Sequence, residues 1–345
     1  MKINEAKKLL KEYLKVKCEA GERKPALFLK GPPGIGKSAI VNQIGEELGI
    51  KVVTLIASTK NPVDIEGIPF RDGKTGQVRW ERPYFLPQDG EGILFVDEIN
   101  AVPKSMQVTL YGLVLEGKVG EHSIGDGWIV ICAGNREEDM AVVYKESSAL
   151  VSRKCTILID PDVDAWKAWA YDAGVVPEII AFLTDRPELI YKAPKNLKAK
   201  NFPTPRGYAM ASWFIKHLGS KTARETVEGC IGEGASAELY TYMEVYNEVP
   251  DLQAILEGKI SPKLPNKPSV VYAVMSGLVS YCSASGKKEH TMNAFKYAKD
   301  CMDTEWQVAM LKEFNKSGKV WDILTKSKEF ADFASKNREV FQYDE

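Results

Sequence analysis

The sequence predicts an α/β fold, with a domain built on a parallel sheet followed by a region made only of helices. Short apolar strands alternate with amphipathic helices up to about residue 160, the order of elements that builds a parallel sheet. A glycine-rich turn at residues 31–36 joins the first strand to the next helix. Strand patterns disappear after Pro161, and apolar residues then recur at helical spacing. We therefore expect a sheet domain over 1–160, an all-helical lid domain over 161–256 and a helical C-terminal extension over 257–345.

The elements of the sheet domain follow from the spacing of their apolar residues. Leu10, Tyr13 and Leu14 recur near helical spacing, which predicts an amphipathic helix over residues 4–18. Continuous apolar runs bounded by turns predict buried strands. The remaining predicted elements are a strand at 26–30, a helix at 37–48, strands at 52–56 and 93–96, a helix at 105–116, and strands at 128–133 and 156–159.

Two segments interrupt this alternation. Residues 58–90 are rich in glycine and proline and carry a turn at Asp72 and Gly73, which predicts an insertion with a β-hairpin. Residues 117–127 predict a second, shorter hairpin. The apolar residues of the longer insertion either pack on the sheet or contact a partner, and the sequence leaves both interpretations open. They are Ile65, Ile68, Phe70, Trp80, Tyr84 and Phe85.

The composition argues against several classes of protein. Lys and Arg total 46 against 47 Asp and Glu, so no overall field draws the chain to nucleic acid or anionic lipid. The six cysteines have no CxxC spacing and accompany only three histidines, which argues against a zinc site or a disulfide framework. The first residues lack the apolar region of a signal peptide, and no run of 18 apolar residues occurs. We therefore expect a cytoplasmic protein with no membrane partner.

A phosphate-binding loop is the most specific motif in the chain. Eight residues match G-x-x-x-x-G-K-[ST] between a predicted strand and a predicted helix. Glycines allow backbone N–H groups to turn onto phosphate oxygens at a helix N-terminus, where the dipole favours anions. We expect Lys37 to reach the β- and γ-phosphates of ATP, and the Ser38 hydroxyl to ligate Mg²⁺. The predicted nucleotide-binding residues are Gly31, Pro32, Pro33, Gly34, Ile35, Gly36, Lys37 and Ser38.

An acidic pair ends a later buried strand. The apolar run at 93–96 is followed directly by Asp97 and Glu98, which resembles a Walker B segment. Ligands of open α/β sheets bind at the carboxyl ends of the strands, where this pair would lie. We expect Asp97 to hold the Mg²⁺ shell and Glu98 to orient or deprotonate the attacking water.

Three further polar residues are candidates for contacts to a phosphoryl group. Asn135 ends the strand GWIVICAGN, where its amide can bond the attacking water or the γ-phosphate. Arg153 precedes the last predicted strand, and Arg206 opens a helix of the predicted helical domain. An arginine can stabilise the charge on a transferring phosphoryl group.

The order of these motifs resembles that of the AAA+ ATPases and, within them, the MoxR family. The resemblance covers about residues 20–240 and rests on the phosphate-binding loop, ILFVDEIN, the strand end AGN, PTPRGY and the two insertions. It implies sensor 1 at Asn135, an arginine finger at Arg153 that acts on the nucleotide of the neighbouring subunit, and sensor 2 at Arg206.

The arginine finger has a competing candidate. In the family an aromatic residue commonly follows the finger, and this chain has Lys154 at that position. Arg136 is therefore the alternative to Arg153.

The MoxR resemblance implies an ATPase that forms a ring, expected to be a hexamer, and remodels a partner protein as a chaperone does. It suggests a partner with a von Willebrand factor A domain. A nucleic-acid motor or loader of the AAA+ class is the alternative, for which the chain offers a run of lysines without acidic residues. A scaffold that binds nucleotide without hydrolysing it is disfavoured by Glu98, and nothing marks the acceptor pocket of a small-molecule kinase. The lysines of the run are Lys192, Lys195, Lys198 and Lys200.

Overall fold

A computed structural model describes residues 1–19, 22–139, 144, 148–152, 154–193, 201–245, 248–264 and 266–336. The chain divides into two compact units, Met1–Pro161 and Asp162–Glu345. The boundary lies within one residue of the predicted end of the sheet domain.

The first unit contains a five-stranded parallel sheet, with the strands in the spatial order Lys51–Ile56, Glu91–Asp97, Gly127–Gly134, Ala26–Lys30 and Lys154–Leu158. Every strand and helix predicted for the sheet domain is present, with ends that differ by up to three residues. This confirms the predicted α/β fold. Its elements are α1 (Ile3–Lys15), β1 (Ala26–Lys30), α2 (Lys37–Leu48), β2 (Lys51–Ile56), α3 (Pro62–Glu66), β3 (Pro69–Arg71), β4 (Val78–Trp80), β5 (Glu91–Asp97), α4 (Lys104–Glu116), β6 (Lys118–Val119), β7 (His122–Ser123), β8 (Gly127–Gly134), α5 (Ser148–Val151) and β9 (Lys154–Leu158).

The three central strands bring the candidate motifs to one edge of the sheet. Strands β1, β5 and β8 are continuous apolar runs because both faces of a parallel sheet are covered. Lys30 pairs with Gly134, and Val96 pairs with Cys132. The residues that follow these strands, 31–38, 97–98 and 135, therefore lie side by side at the carboxyl edge.

Both predicted hairpins are present. Strand β3 pairs antiparallel with β4, and β6 pairs antiparallel with β7. The Asp72 carboxylate accepts hydrogen bonds from the N–H groups of Lys74 and Thr75, which closes the longer hairpin. Arg82 Nη2 donates to the carbonyl oxygen of Ser123 at 2.7 Å and so joins the end of one insertion to the other.

The apolar side chains of the longer insertion divide between two environments. Ile65 and Phe85 are buried and belong to the core under the sheet. Ile68 and Tyr84 are 65% and 87% exposed, and Phe70 is also exposed. The structure thus shows packing for Ile65 and Phe85, and it leaves Ile68, Phe70 and Tyr84 accessible on the surface.

The second unit is helical throughout its described part. Helices from the predicted segments 161–256 and 257–345 contribute to one hydrophobic core, in which the helix Pro177–Asp185 packs against the helix Pro268–Ser285. The elements are α6 (Val163–Ala173), α7 (Pro177–Asp185), α8 (Pro205–Leu218), α9 (Arg224–Ile231), α10 (Glu233–Val245), α11 (Leu252–Leu256), α12 (Pro268–Ser285), α13 (Lys288–Cys301), α14 (Thr304–Lys316), α15 (Gly318–Thr325) and α16 (Lys328–Lys336).

A buried charge network crosses the core of the second unit between α6 and α14. Lys167 Nζ donates to Glu313 Oε1 at 2.6 Å, and the Tyr171 hydroxyl donates to Glu313 Oε2 at 2.6 Å. Lys316 Nζ lies 2.8 Å from both Glu313 Oε1 and Asp164 Oδ1. Burial lowers the pKa of Lys167 to about 8, against the opposing attraction of Glu313. The two lysines hold the pKa of Glu313 below its usual value in spite of its burial.

Among the described residues, none of the helices combines the length and the apolar character that crossing a bilayer requires.

Candidate functional site

The loop between β1 and α2 has a backbone that only glycine adopts readily. Gly34 and Gly36 have φ values of 75° and 101°, in the left-handed region. At Gly31 a Cβ atom would lie 2.4 Å from the carbonyl oxygen of Ile159, so a side chain does not fit there. The loop thus delivers the chain directly into the first turn of α2, whose N–H groups lack partners within the helix. This arrangement suits an anion such as a phosphate.

Lys37 is buried at the centre of the loop. Its Nζ donates to the carbonyl oxygens of Gly31 and Pro32 at 2.8 and 2.7 Å, and to Asn135 Oδ1 at 3.0 Å. The lysine therefore joins the loop after β1 to the end of β8. The fold brings two of the predicted residues, Lys37 and Asn135, into direct contact.

Ser38 and Asp97 form the second contact between predicted residues. The Ser38 hydroxyl donates to Asp97 Oδ2 at 2.5 Å, and Asp97 Oδ1 accepts from the N–H of Glu98 at 2.9 Å. A hydroxyl and a carboxylate are hard oxygen ligands of the type that Mg²⁺ prefers. The donor set at this position therefore fits the metal ion that the sequence predicts.

Glu98 stands at the end of β5 in an uncommon conformation. Its φ is 57°, and within the described residues it is the one residue other than glycine with a positive φ. Its half-buried carboxylate accepts a hydrogen bond from the Ser58 hydroxyl. Strained backbone of this kind occurs mainly at functional sites, where surrounding contacts maintain it.

Asn100 lies two residues after Glu98 and contacts Asn135. Asn100 Nδ2 donates to the carbonyl oxygen of Asn135 at 2.7 Å, and the N–H of Asn135 donates to Asn100 Oδ1 at 3.2 Å. Asn100 is 1% exposed. Its side chain thus pairs with both backbone groups of a single residue.

The candidate arginines have different surroundings. Arg136 forms a bidentate pair with the buried Asp139, at 2.8 and 2.9 Å, and its Nη1 lies 3.4 Å from Asp160 Oδ1. Arg153 lies outside the described residues. Arg206 is an exposed residue of the first turn of α8, which Thr204 caps by accepting from the N–H of Gly207.

The lysines singled out in the sequence are Lys154 and the four of the predicted run. The Nζ of Lys154, the residue after the candidate finger, lies 3.6 Å from the centre of the Phe28 ring. Of the predicted lysine run, Lys192 is described, and Lys195, Lys198 and Lys200 lie outside the described residues.

Comparison with known proteins finds similarity in the first unit. Residues 27–153 match the model of the AAA family, the ATPase family associated with various cellular activities. This segment includes the loop after β1, both acidic residues and Asn135. The first unit therefore carries an AAA ATPase domain.

The Holliday junction branch migration complex subunit RuvB of Prochlorococcus marinus is 31% identical over 125 residues, which is 36% of this chain and 30% of that protein. The same subunit of Oenococcus oeni is 36% identical over 107 residues, 31% of this chain and 27% of that protein. The matched segment thus spans less than a third of these curated relatives. A solved structure of the Thermotoga maritima RuvB Holliday junction branch migration motor aligns with a TM-score of 0.40 and 18% identity, over 85% of this chain and 87% of that one.

Sequence reasoning missed two residues of this site, Ser58 and Asn100. Ser58 begins the insertion, and nothing in its neighbours marks it as a partner of Glu98. Asn100 does carry a signal, because a polar residue so close to a buried strand end needs a hydrogen-bond partner. The identity of that partner depends on the sheet order, which the sequence does not state.

Proposed function

We propose that this chain is a Mg²⁺-dependent ATPase of the AAA+ class that assembles into a ring and remodels a partner protein, as MoxR-like chaperones do. The observation that carries the ATPase proposal is the convergence of two pairs, Lys37 with Asn135 and Ser38 with Asp97, at one edge of the sheet. A loop that binds phosphate, oxygen ligands for Mg²⁺ and an adjacent carboxylate are together what phosphoryl transfer to water requires.

Each residue of the site has a distinct role in this proposal. Lys37 holds the β- and γ-phosphates of ATP as a point charge, and Ser38 and Asp97 hold Mg²⁺. When bound, Mg²⁺ neutralises negative charge on the phosphate oxygens. Glu98 orients a water molecule and accepts its proton. Asn135 presents its amide to the same water or to the γ-phosphate.

Assembly is part of the proposal because one arginine of the predicted set would act on phosphate charge across a subunit interface. Arg153 is assigned to the nucleotide of the neighbouring subunit, and Arg206 to sensor 2. Arg136 is less suited to act across an interface, since it is held by Asp139 and Asp160 of its own chain. A hexamer is the proposed ring.

A protein partner is proposed because of the exposed part of the longer insertion. Ile68, Phe70 and Tyr84 are exposed within the same insertion, and exposed apolar side chains that form a patch are typical of interaction sites. In the MoxR interpretation the partner carries a von Willebrand factor A domain. Purification of partners from native lysate on a Glu98→Gln variant, held with ATP bound, tests this identity.

The second candidate function is a nucleic-acid motor. It is favoured by the relatives, which are named as subunits of a Holliday junction branch migration complex, although the match lies in the nucleotide-binding segment alone. Binding to junction and duplex DNA, measured across a series of salt concentrations, separates the two candidates. Affinity that falls steeply with salt and stimulation of ATP turnover by DNA would favour the motor.

The ATPase proposal is tested with Lys37→Ala and a matched control, Lys51→Ala, which removes an exposed lysine from β2. We expect the wild type and the control to bind ATP equally by calorimetry and to release phosphate. Lys37→Ala should lose most of its affinity, since the point charge in the loop is gone. Equal ATP affinity of both variants would overturn the assignment of the loop.

A further inference from the structure

We propose that Asn100 is a positioning residue, which holds the backbone of Asn135 so that its side chain meets Lys37 and the reacting phosphate. The inference rests on the proposed ATPase function and adds a residue to it. Asn100 itself is assigned no contact with nucleotide. It acts through Asn135, to which its side chain is hydrogen-bonded.

The first step is the closed pair that the two asparagines form. The amide of Asn100 donates to the carbonyl oxygen and accepts from the N–H of the same residue, Asn135, at 2.7 and 3.2 Å. Two antiparallel hydrogen bonds to one residue determine both the position and the orientation of its backbone. Moving this buried amide would break both hydrogen bonds. The move is costly because water does not reach the site to replace them.

Gly134, next to Asn135, leaves space for the Asn100 amide because it has no side chain. At Gly134 a Cβ atom would lie 2.2 Å from Asn100 Oδ1 and 3.0 Å from the Phe28 ring. Any larger residue at position 134 would therefore displace the Asn100 side chain. The end of β8 is shaped to accept this amide.

The third step connects the pair to the site. With its backbone held in this way, Asn135 places Oδ1 at 3.0 Å from Lys37 Nζ. Asn100 lies on the same short segment as Asp97 and Glu98, and the N–H of Ile99 donates to the carbonyl oxygen of Ala133 at 3.0 Å. The segment 97–100 thus carries the acidic pair and also sets the position of the amide opposite. Other residue types do not reproduce this: an ionised aspartate lacks the donor, and leucine lacks both polar groups.

The experiment uses the full chain and a double-mutant cycle of Asn100→Ala and Asn135→Ala, with Leu110→Ala as the control for stability. Leu110 is fully buried in the core of the same unit and has no role in the proposed chemistry. We expect Asn100→Ala to lower kcat by about 10- to 100-fold, the cost of a misplaced reacting group, while the Kd for ADP changes by less than about threefold. Leu110→Ala should lower the Tm yet keep the kcat of the folded protein.

The cycle distinguishes a positioning role from a structural one. If Asn100 acts through Asn135, the double variant has the kcat of Asn135→Ala, within about twofold, since no amide is left to misplace. If the two losses multiply, the inference is wrong. Should Asn100→Ala fail to fold, Asn100→Asp keeps the volume and the acceptor for the Asn135 N–H, and the same non-additivity is expected of it.

A measurement without nucleotide completes the test. Hydrogen exchange at the Asn135 amide should accelerate in Asn100→Ala, because its acceptor is removed, while the amides of Ile129 and Ile131 in β8 keep their protection. Unchanged exchange together with unchanged kcat overturns the inference and leaves the ATPase proposal standing. A wild-type protein that hydrolyses no ATP overturns both.

Discussion

The Ser58 hydroxyl donates a hydrogen bond to Oε2 of Glu98, a residue forty positions further along the chain. Ser58 belongs to a single helical turn, Ala57–Thr59, at the start of the longer insertion, whereas Glu98 directly follows the buried strand β5. The candidate catalytic carboxylate is therefore attached to the first turn of the insertion. A carboxylate oxygen engaged in this way is less free to accept a hydrogen bond from water.

Replacement of Glu98 by glutamine should separate nucleotide binding from hydrolysis. The amide keeps the shape and can still accept from Ser58, but it cannot take a proton from water, so turnover should fall by about 10²- to 10⁴-fold. Phosphate release and ADP affinity are the measurements, with Glu91→Gln on the exposed start of β5 as the control. Turnover close to that of the wild type would remove Glu98 from its proposed role.

Replacement of Ser58 by alanine should raise turnover. Loss of one modest hydrogen bond frees the Glu98 carboxylate for water, which corresponds to an increase of about two- to fivefold in kcat. Steady-state phosphate release measures the effect, and Thr59→Ala, beside it in the same turn, is the control. A decrease in kcat would mean instead that Ser58 holds Glu98 in its reactive position.

Mixed assemblies should reveal whether an arginine acts between subunits. Arg153→Ala and Lys37→Ala are each expected to hydrolyse ATP slowly, but a mixture of the two should recover part of the activity. Some interfaces then pair an intact loop with an intact finger from the neighbouring subunit. Activity and mass as a function of protein concentration, measured with ATP present, show whether rings form.

The same experiment distinguishes Arg136 from Arg153 as the arginine finger. Recovery with Arg136→Ala in place of Arg153→Ala, and none with Arg153→Ala, would move the finger to Arg136. No recovery at any ratio would indicate an arginine that acts within one chain. A monomeric mass with a rate independent of concentration would exclude the ring.

Two isoleucines of the insertion should respond differently to serine. Ile68 is exposed, so Ile68→Ser should leave the Tm and the ATP turnover unchanged and weaken stimulation by the partner protein. Ile65 is fully buried, so Ile65→Ser should cost about 2–5 kcal/mol of stability through lost packing and a buried hydroxyl. Thermal unfolding and partner-stimulated turnover measure the two effects. Equal loss of stability in both variants would contradict the partner-binding assignment of Ile68.

The pair of Lys167 and Glu313 should govern the stability of the helical unit. Glu313→Leu leaves the lysine charge buried without its carboxylate, and we expect a loss of about 3–5 kcal/mol in the free energy of unfolding. Adding Lys167→Met to this variant should restore much of the loss, because the unpaired charge is then gone. Urea denaturation provides the measurement, and a double variant no more stable than Glu313→Leu would contradict the assignment.

The same pair gives a dependence on pH with a definite sign. Burial already lowers the pKa of Lys167 to about 8, and loss of Glu313 should lower it further. Between that pKa and the ordinary value of lysine the unfolded chain binds more protons, so stability rises with pH over this interval. The interval is wider in Glu313→Leu because the pKa of Lys167 is lower in that variant. The difference in the free energy of unfolding between this variant and the wild type should therefore decrease between pH 7 and pH 9.

Local patterns in the sequence predicted the elements of the first unit well. The strand at 26–30 and the helix at 37–48 have the observed ends, because apolar runs and glycine turns depend on neighbours in the chain. The two insertions were also predictable as hairpins from their turn residues. Local patterns did not predict which apolar residues of the longer insertion are buried. Ile65 and Ile68 lie three residues apart, and only Ile65 is buried.

By itself, the sequence determined the glycine-rich loop with its phosphate-binding motif, the acidic end of a buried strand and the change from a sheet to helices near residue 160. Those features depend on residue type and on spacing within one segment. Only the tertiary structure decided that Asn100 holds Asn135, that Ser58 contacts Glu98 and that Arg136 is paired with Asp139. These contacts form because strand order places chain ends beside each other, and hydrogen bonds depend on distance in space and not along the chain.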